Sequence, residues 1–309
     1  VPSDRQPIIS QRAYQQEVFR HEAGLLAELW RRQSGKSYGL GMTGLDWMME
    51  DICDVIFASA ALRLGMENIR KEAEVWRQVT EVLRKIAKHA DFRLTTQADD
   101  DYGNLLDVDA IADMFEHQKL ETKLWHSNTA FSRSMVVAPN PETAVGWTGH
   151  VILDEVGRMP DFRDVFEAME PIVSSSSKFR VRMATTPPPD DGHYSYELLA
   201  PPPEMDGKFP VNPRGNWYNS RQGILVHRVD AWDGYAAGVP LYDLKSREKL
   251  TPDEHRERSV DKMAWDRNYG IRFIKGGTSA LSTTAIFHAQ AAGMTECTGI
   301  HITDSLHAA

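Results

Sequence analysis

Apolar residues in this chain follow two rhythms, short continuous runs and longer stretches at helical spacing, and the alternation predicts the order of the elements. Leu25 to Trp30 is an apolar run interrupted by one Glu, read as a strand, and a helix-compatible stretch follows from Lys36 to about Glu50. Asp54 to Ala60 reads as a second buried strand. From Leu62 to His89 the apolar positions Ile69, Ala73, Val75, Trp76, Val79, Val82, Leu83 and Ile86 recur at helical spacing, with Lys, Arg and Glu between them. Val108 to His117 predicts another helix, and Leu120 to Trp125 and Ser134 to Ala138 predict strands. His150 to Asp154 is a strand ending in Asp154-Glu155. Pro160 and Asp161 predict the start of a helix that Pro171 closes. The stretch from Lys178 to Thr186 is a strand stopped by prolines, and Leu225 to Val229 is one more. Pro187 to Pro213, rich in Pro, Gly and Asp, predicts a long loop region. Thr251-Pro252-Asp253-Glu254 has the form of a capping box with Pro at the first helical position, so a helix is expected to about Tyr269.

Strands alternating with helices predict an α/β domain with a largely parallel sheet. Composition adds little: 309 residues, 41% hydrophobic and 26% charged, are ample for a packed core. Two cysteines, Cys53 and Cys297, argue against a disulfide framework and favour a reduced setting. The N-terminal residues carry no apolar signal core, and no apolar run is long enough to span a membrane. A net charge of −9 confines any nucleic-acid contact to a local basic patch.

Three motifs fall at predicted strand ends, where parallel sheets bind ligands. The first is Gly35-Lys36-Ser37, the end of a phosphate-binding loop whose general pattern has a glycine where this chain has Trp30. There the backbone from Gln33 through Ser34 and Gly35 to Lys36 would wrap a β-phosphate, Lys36 would reach the β- and γ-oxygens, and the Ser37 hydroxyl would bind Mg²⁺. The second is Val151 to Asp154, an apolar strand delivering an aspartate to the metal, followed by Glu155, suited to polarise an attacking water. The third is Ala184-Thr185-Thr186-Pro187, whose hydroxyls could sense a γ-phosphate. A GKS triplet, an acidic turn and a Thr-Pro turn are each common; their order and their shared placement carry the weight.

Together, Tyr14-Gln15, Arg31 to Ser37, Val151 to Glu155 and Ala184 to Pro187 resemble the ATPase of viral large terminases, over about residues 10 to 230. That family has a deviant phosphate loop with an R-Q-x-G-K-[ST] core, matched by Arg32 to Ser37, so Trp30 departs from the general pattern only. The resemblance implies a P-loop NTPase of the additional-strand, catalytic-glutamate type, using ATP and Mg²⁺. It implies adenine reading by Gln15 beside Tyr14, transition-state stabilisation by Arg32, and coupling through Thr185 or Thr186. It also implies a motor that drives double-stranded DNA into a procapsid in the cytoplasm of an infected host cell. The implied partners are a portal protein, a small terminase subunit and further copies in a ring.

On this reading residues 1–230 form the ATPase domain and 231–309 a lid or linker subdomain. The remaining length is too short for the family's nuclease domain, and Asp304 stands alone. Arg158, Arg228, Arg267 and Arg272 are candidates for a finger reaching a neighbour's ATP. The histidines lack zinc-ligand spacing, Trp47-Met48-Met49 reads as core, and Asp99-Asp100-Asp101 as a solvated turn. Two other readings are a helicase-like, nucleic-acid-stimulated ATPase and a nucleotide-binding switch with little turnover. The first lacks room for a second ATPase-like domain, and Glu155 argues against the second.

Overall fold

The computed structural model describes residues 9–89, 108–140, 146–275 and 289. Cys297, Asp304 and the Asp99-Asp100-Asp101 turn lie outside these residues. Nine strands form one sheet: β1 (Leu25–Trp30), β2 (Asp54–Ser59), β3 (Phe115–His117), β4 (Glu121–Trp125), β5 (Phe131–Val137), β6 (His150–Asp154), β7 (Val181–Thr185), β8 (Asn216–Asn219) and β9 (Leu225–Val229). Their order is β3-β4-β5-β2-β6-β7-β1-β9-β8. The six strands from β5 to β9 in that order run parallel, and β3, β4 and β8 are antiparallel at the edges. The predicted α/β class and parallel sheet are therefore present.

The strand that follows the acidic strand in sequence, β7, lies between β6 and β1. It brings the ends of β1, β6 and β7, which carry the three sequence motifs, side by side. β6 and β7 are buried along their whole length, as expected for parallel strands covered on both faces.

Helices cover both faces. On one, α2 (Lys36–Glu50) and α3 (Leu62–His89) pack over Val55, Phe57, Ile152 and Ala184. On the other, α5 (Phe162–Ser174) packs over Ile56, Leu153 and Met183. The first helix, α1 (Ala13–Val18), closes the region around Trp30 with Tyr14 and Val18.

Four expectations are corrected. The helix α4 (Val108–Asp113) stops short, and Phe115–His117 pairs with β4, because Phe115 stacks on Trp76 of α3 instead of continuing a helical face. Pro171 lies inside α5 rather than ending it; Ile172, 2% exposed, keeps the last turn packed on the core. The stretch expected to be loop holds α6 (Tyr194–Leu199), whose cap is the His193 ring, which accepts from the Ser195 N–H. The helix expected to reach Tyr269 is two: α8 (Pro252–Arg258) starts from the Thr251 capping box, and Asp261 caps α9 (Lys262–Asn268). Between β9 and α8 lie α7 (Ala231–Ala236) and a small hairpin, β10 (Leu241–Tyr242) with β11 (Lys249–Leu250).

Candidate nucleotide site

The loop from Arg31 to Gly35 joins β1 to α2. Trp30 is the last strand residue, fully buried, with its indole N–H donated to His227 Nδ1 at 3.0 Å and its ring edge-on to Tyr14. Its backbone is not left-handed, so nothing there requires a glycine; the left-handed turns fall at Gln33 (φ 59°) and Gly35 (φ 87°). Gly35 is needed twice over. Its φ suits glycine, and a Cβ there would lie 3.0 Å from both Arg12 Nη1 and Gln15 Nε2.

Those two side chains belong to α1 and its cap. Tyr14 Oη donates to the Ser34 carbonyl at 2.6 Å, Arg12 Nη1 to the same oxygen at 2.7 Å, and Gln15 Nε2 to the Gly35 carbonyl at 3.2 Å. The Ser34 and Gly35 carbonyls are thereby tied to α1 and its cap. Ser34 Oγ bonds back to the Arg31 carbonyl at 2.8 Å. The first N–H groups of α2, from Lys36 onward, have no carbonyl one turn behind them and form a ready anion cradle. Gln33 is exposed at the tip of the loop.

Lys36 is 6% exposed. Its Nζ donates to the Trp30 carbonyl at 3.1 Å and lies 3.9 Å from Glu155 Oε1. Burial lowers its pKa, against the pull of Glu155 and Asp154. Across the cleft, Asp154 ends β6, and the Ser37 hydroxyl donates to its Oδ2 at 2.9 Å. Its Oδ1 accepts the Glu155 N–H at 2.9 Å. A hydroxyl and a carboxylate are hard oxygen donors, the set that suits magnesium. Their direct hydrogen bond places them close enough to share one cation.

Glu155 is left-handed (φ 56°, ψ 39°), a strained conformation for a residue with a side chain, costing about 1–3 kcal/mol. It aims the carboxylate back at Lys36, and its Oε2 is buried without a hydrogen-bond partner among the described residues. Burial raises its pKa, Lys36 and Arg32 oppose that, and Asp154 adds to it. Arg32, half-buried in the loop between β1 and α2, is one of the charges that bear on both Glu155 and Lys36.

Thr185 ends β7 and Thr186 follows it; both are buried. The Thr185 hydroxyl accepts the Gly157 N–H at 2.9 Å and donates to the Thr186 carbonyl at 2.7 Å. A Cβ on Gly157 would lie 2.7 Å from that carbonyl. The turn after Glu155 is thus pinned to β7 through Thr185, a distinction between the two threonines that the sequence left open.

Sequence reasoning missed several participants. Arg31, fully buried, donates through Nη2 to the Val239 carbonyl at 3.1 Å, and the Arg32 N–H donates to the Asn268 carbonyl at 3.0 Å. Residues after β9 therefore brace the loop from outside. Glu28, buried in β1, has its pKa pushed up to about 8 by burial. Asn68 of α3 donates to Asp154 Oδ2 at 3.2 Å. A legible signal for Asn68 existed, a polar residue beside Ile69 on the apolar side of α3. Of the four arginines weighed as fingers, Arg228 is held within the chain: it pairs with Asp230 at 2.9 Å and donates to the Gly270 carbonyl. Arg158 and Arg267 line an open hollow with Thr186 and Asn268, and Arg272 is exposed.

A parallel sheet with an extra strand between the phosphate-loop strand and the acidic strand, and a loop of this shape at its edge, define the additional-strand class of the P-loop NTPase fold. No protein-family model matches the chain, and no curated protein matches it. Among solved structures it is similar to the large terminase ATPase domain of Thermus phage P74-26, with 18% identity over 84% of this chain and 93% of that one, at a TM-score of 0.51. An arginine-to-alanine mutant of the same domain gives 0.54, with the same identity and coverage. The chain thus has the fold of a phage large terminase ATPase domain.

Proposed function

We propose that this chain is the ATP-hydrolysing motor domain of a viral large terminase, driving double-stranded DNA into a procapsid. The observation that carries the reading is the convergence at one strand-end cleft of Ser37 on Asp154 at 2.9 Å and Lys36 beside Glu155 at 3.9 Å. The loop N–H groups and Lys36 hold the β- and γ-phosphates. Ser37 and Asp154 would hold Mg²⁺, which when bound would draw charge from the phosphate oxygens. Glu155 takes a proton from water as its oxygen bonds the γ-phosphorus and the bond to the bridging oxygen breaks, leaving ADP and phosphate. Arg32 stabilises the charge of the transferring group from within the chain. Tyr14 and Gln15 set the loop backbone, and Gln15 retains a second amide N–H for an adenine edge.

Thr185, tied to Gly157, passes movement of Glu155 to β7 and to Thr186. Residues 1–230 form the ATPase domain, and 231–309 a lid or linker that braces the loop through Val239 and Asn268. The motor works in the host cytoplasm with a portal protein, a small subunit and neighbouring copies in a ring. The test is phosphate release with and without double-stranded DNA. Wild type turns over ATP and DNA stimulates it; Glu155→Gln binds Mg-ATP but loses about 10²–10⁴-fold in rate. A variant as fast as wild type would mean that Glu155 is not the base.

A further inference from the structure

Asn68 lies seven residues into α3, on the side of that helix that faces α2, and is fully buried. Its Nδ2 donates to Asp154 Oδ2 at 3.2 Å, the same oxygen that accepts the Ser37 hydroxyl. Its other amide atom, Oδ1, is buried with no hydrogen-bond partner among the described residues. A buried amide oxygen left unpaired costs stability. A folding role alone would be met as well by an apolar residue of similar size.

The approach that lets Asn68 reach the cleft is built in. A Cβ on Gly41 would lie 3.4 Å from the Asn68 carbonyl oxygen, and one on Gly44 2.8 Å from Glu72 Oε1. Both glycines let α3 press close against α2. One turn beyond Asn68, buried Glu72 accepts hydroxyl bonds from Thr122 on β4 at 2.7 Å and Ser134 on β5 at 2.8 Å. That pair of bonds fixes the rotation and height of α3 against the sheet, and with them the position of Asn68.

We infer that Asn68 is a positioning residue for the divalent cation. With Ser37 and the Glu155 N–H, it makes three hydrogen bonds to Asp154 that fix the carboxylate's orientation before the cation arrives. Outer-shell partners of this kind are worth about 10–100-fold in metal affinity. The inference rests on the nucleotide-site reading above and adds to it a link between α3 and the metal.

The test uses the whole chain loaded with ADP, with Mn²⁺ as probe and electron paramagnetic resonance as readout of bound metal. Calorimetry of ADP without metal is run alongside. In Asn68→Leu, which keeps the volume and removes the donor, Mn²⁺ affinity falls about 10–100-fold while metal-free ADP affinity stays within about twofold. In Asn68→Gln, which keeps an amide donor, Mn²⁺ affinity stays closer to that of wild type than to that of Asn68→Leu. A structural role would weaken both variants alike. Equal Mn²⁺ affinity in Asn68→Leu and wild type overturns the proposal, as does a parallel loss of metal and metal-free ADP binding. Should Asn68→Leu not fold, Asn68→Ala takes its place, and wild-type Mn²⁺ affinity in that variant overturns the proposal. If wild type itself takes up no ADP, it is the nucleotide-site reading that has failed.

Discussion

On the proposed function, Glu155 concentrates the chemistry of the site in one strained residue. Its left-handed backbone turns the carboxylate toward Lys36, and burial raises its pKa above the ordinary value of 4.5. A general base works only when ionised. Rate should therefore climb with pH through a pKa above that of an exposed glutamate, and the acid limb of kcat should vanish from the residual rate of Glu155→Gln. A pH-rate profile at saturating Mg-ATP checks this. A limb at the ordinary carboxylate value, or one that survives the substitution, would assign it to another group. The residues around Glu155 were legible in the sequence because each sits in a contiguous motif whose backbone shape is local. Asn68 was legible only as a polar residue on the apolar side of α3, since its contact with Asp154 spans 86 residues of sequence. Arg228 shows the converse. As a residue it suits a finger, but Asp230, two positions on, ties it down.

At the level of elements, α3 is the part with most to test. Its one buried carboxylate, Glu72, has its pKa raised from 4.5 to about 7, chiefly by burial. The folded chain therefore keeps a proton that the unfolded chain loses. The stability gained from holding it is complete below about pH 4.5 and is lost as pH rises to about 7, in total up to about 3 kcal/mol. Glu72→Gln should show a flatter stability profile across that window, by urea unfolding at several pH values. Parallel curves for the two proteins would mean that Glu72 stays ionised in the fold. The long elements were readable because their apolar rhythm is sustained, as in α3 and the strands of the parallel core. The short ones, β8, β10, β11 and α7, span two to six residues and were not. Tertiary pairing, not local pattern, makes them. The break between α8 and α9 has a local cause, since Asp261 is a second cap inside what looked like one helix.

The whole molecule presents a question that no single element answers, whether its site is complete in one chain. Arg32 lies in the chain's own loop between β1 and α2, while Arg158 and Arg267 line an open hollow with Thr186. A motor completed by neighbours should show specific activity that rises with protein concentration, and light scattering in the same samples should show assembly. With a net charge of −9, self-repulsion should keep dilute protein monomeric and slow. A fast, flat specific activity in a proven monomer would leave Arg32 as the cis-acting finger. All these expectations presuppose that the loop from Arg31 to Ser37 binds a nucleotide, and Lys36 is the residue on which that rests. Calorimetric titration of Mg-ADP onto wild type and Lys36→Ala tests it most directly. Loss of a buried charge-assisted bond should weaken binding about 10–100-fold. Equal affinity in the two proteins would place the nucleotide elsewhere, or nowhere, on this fold.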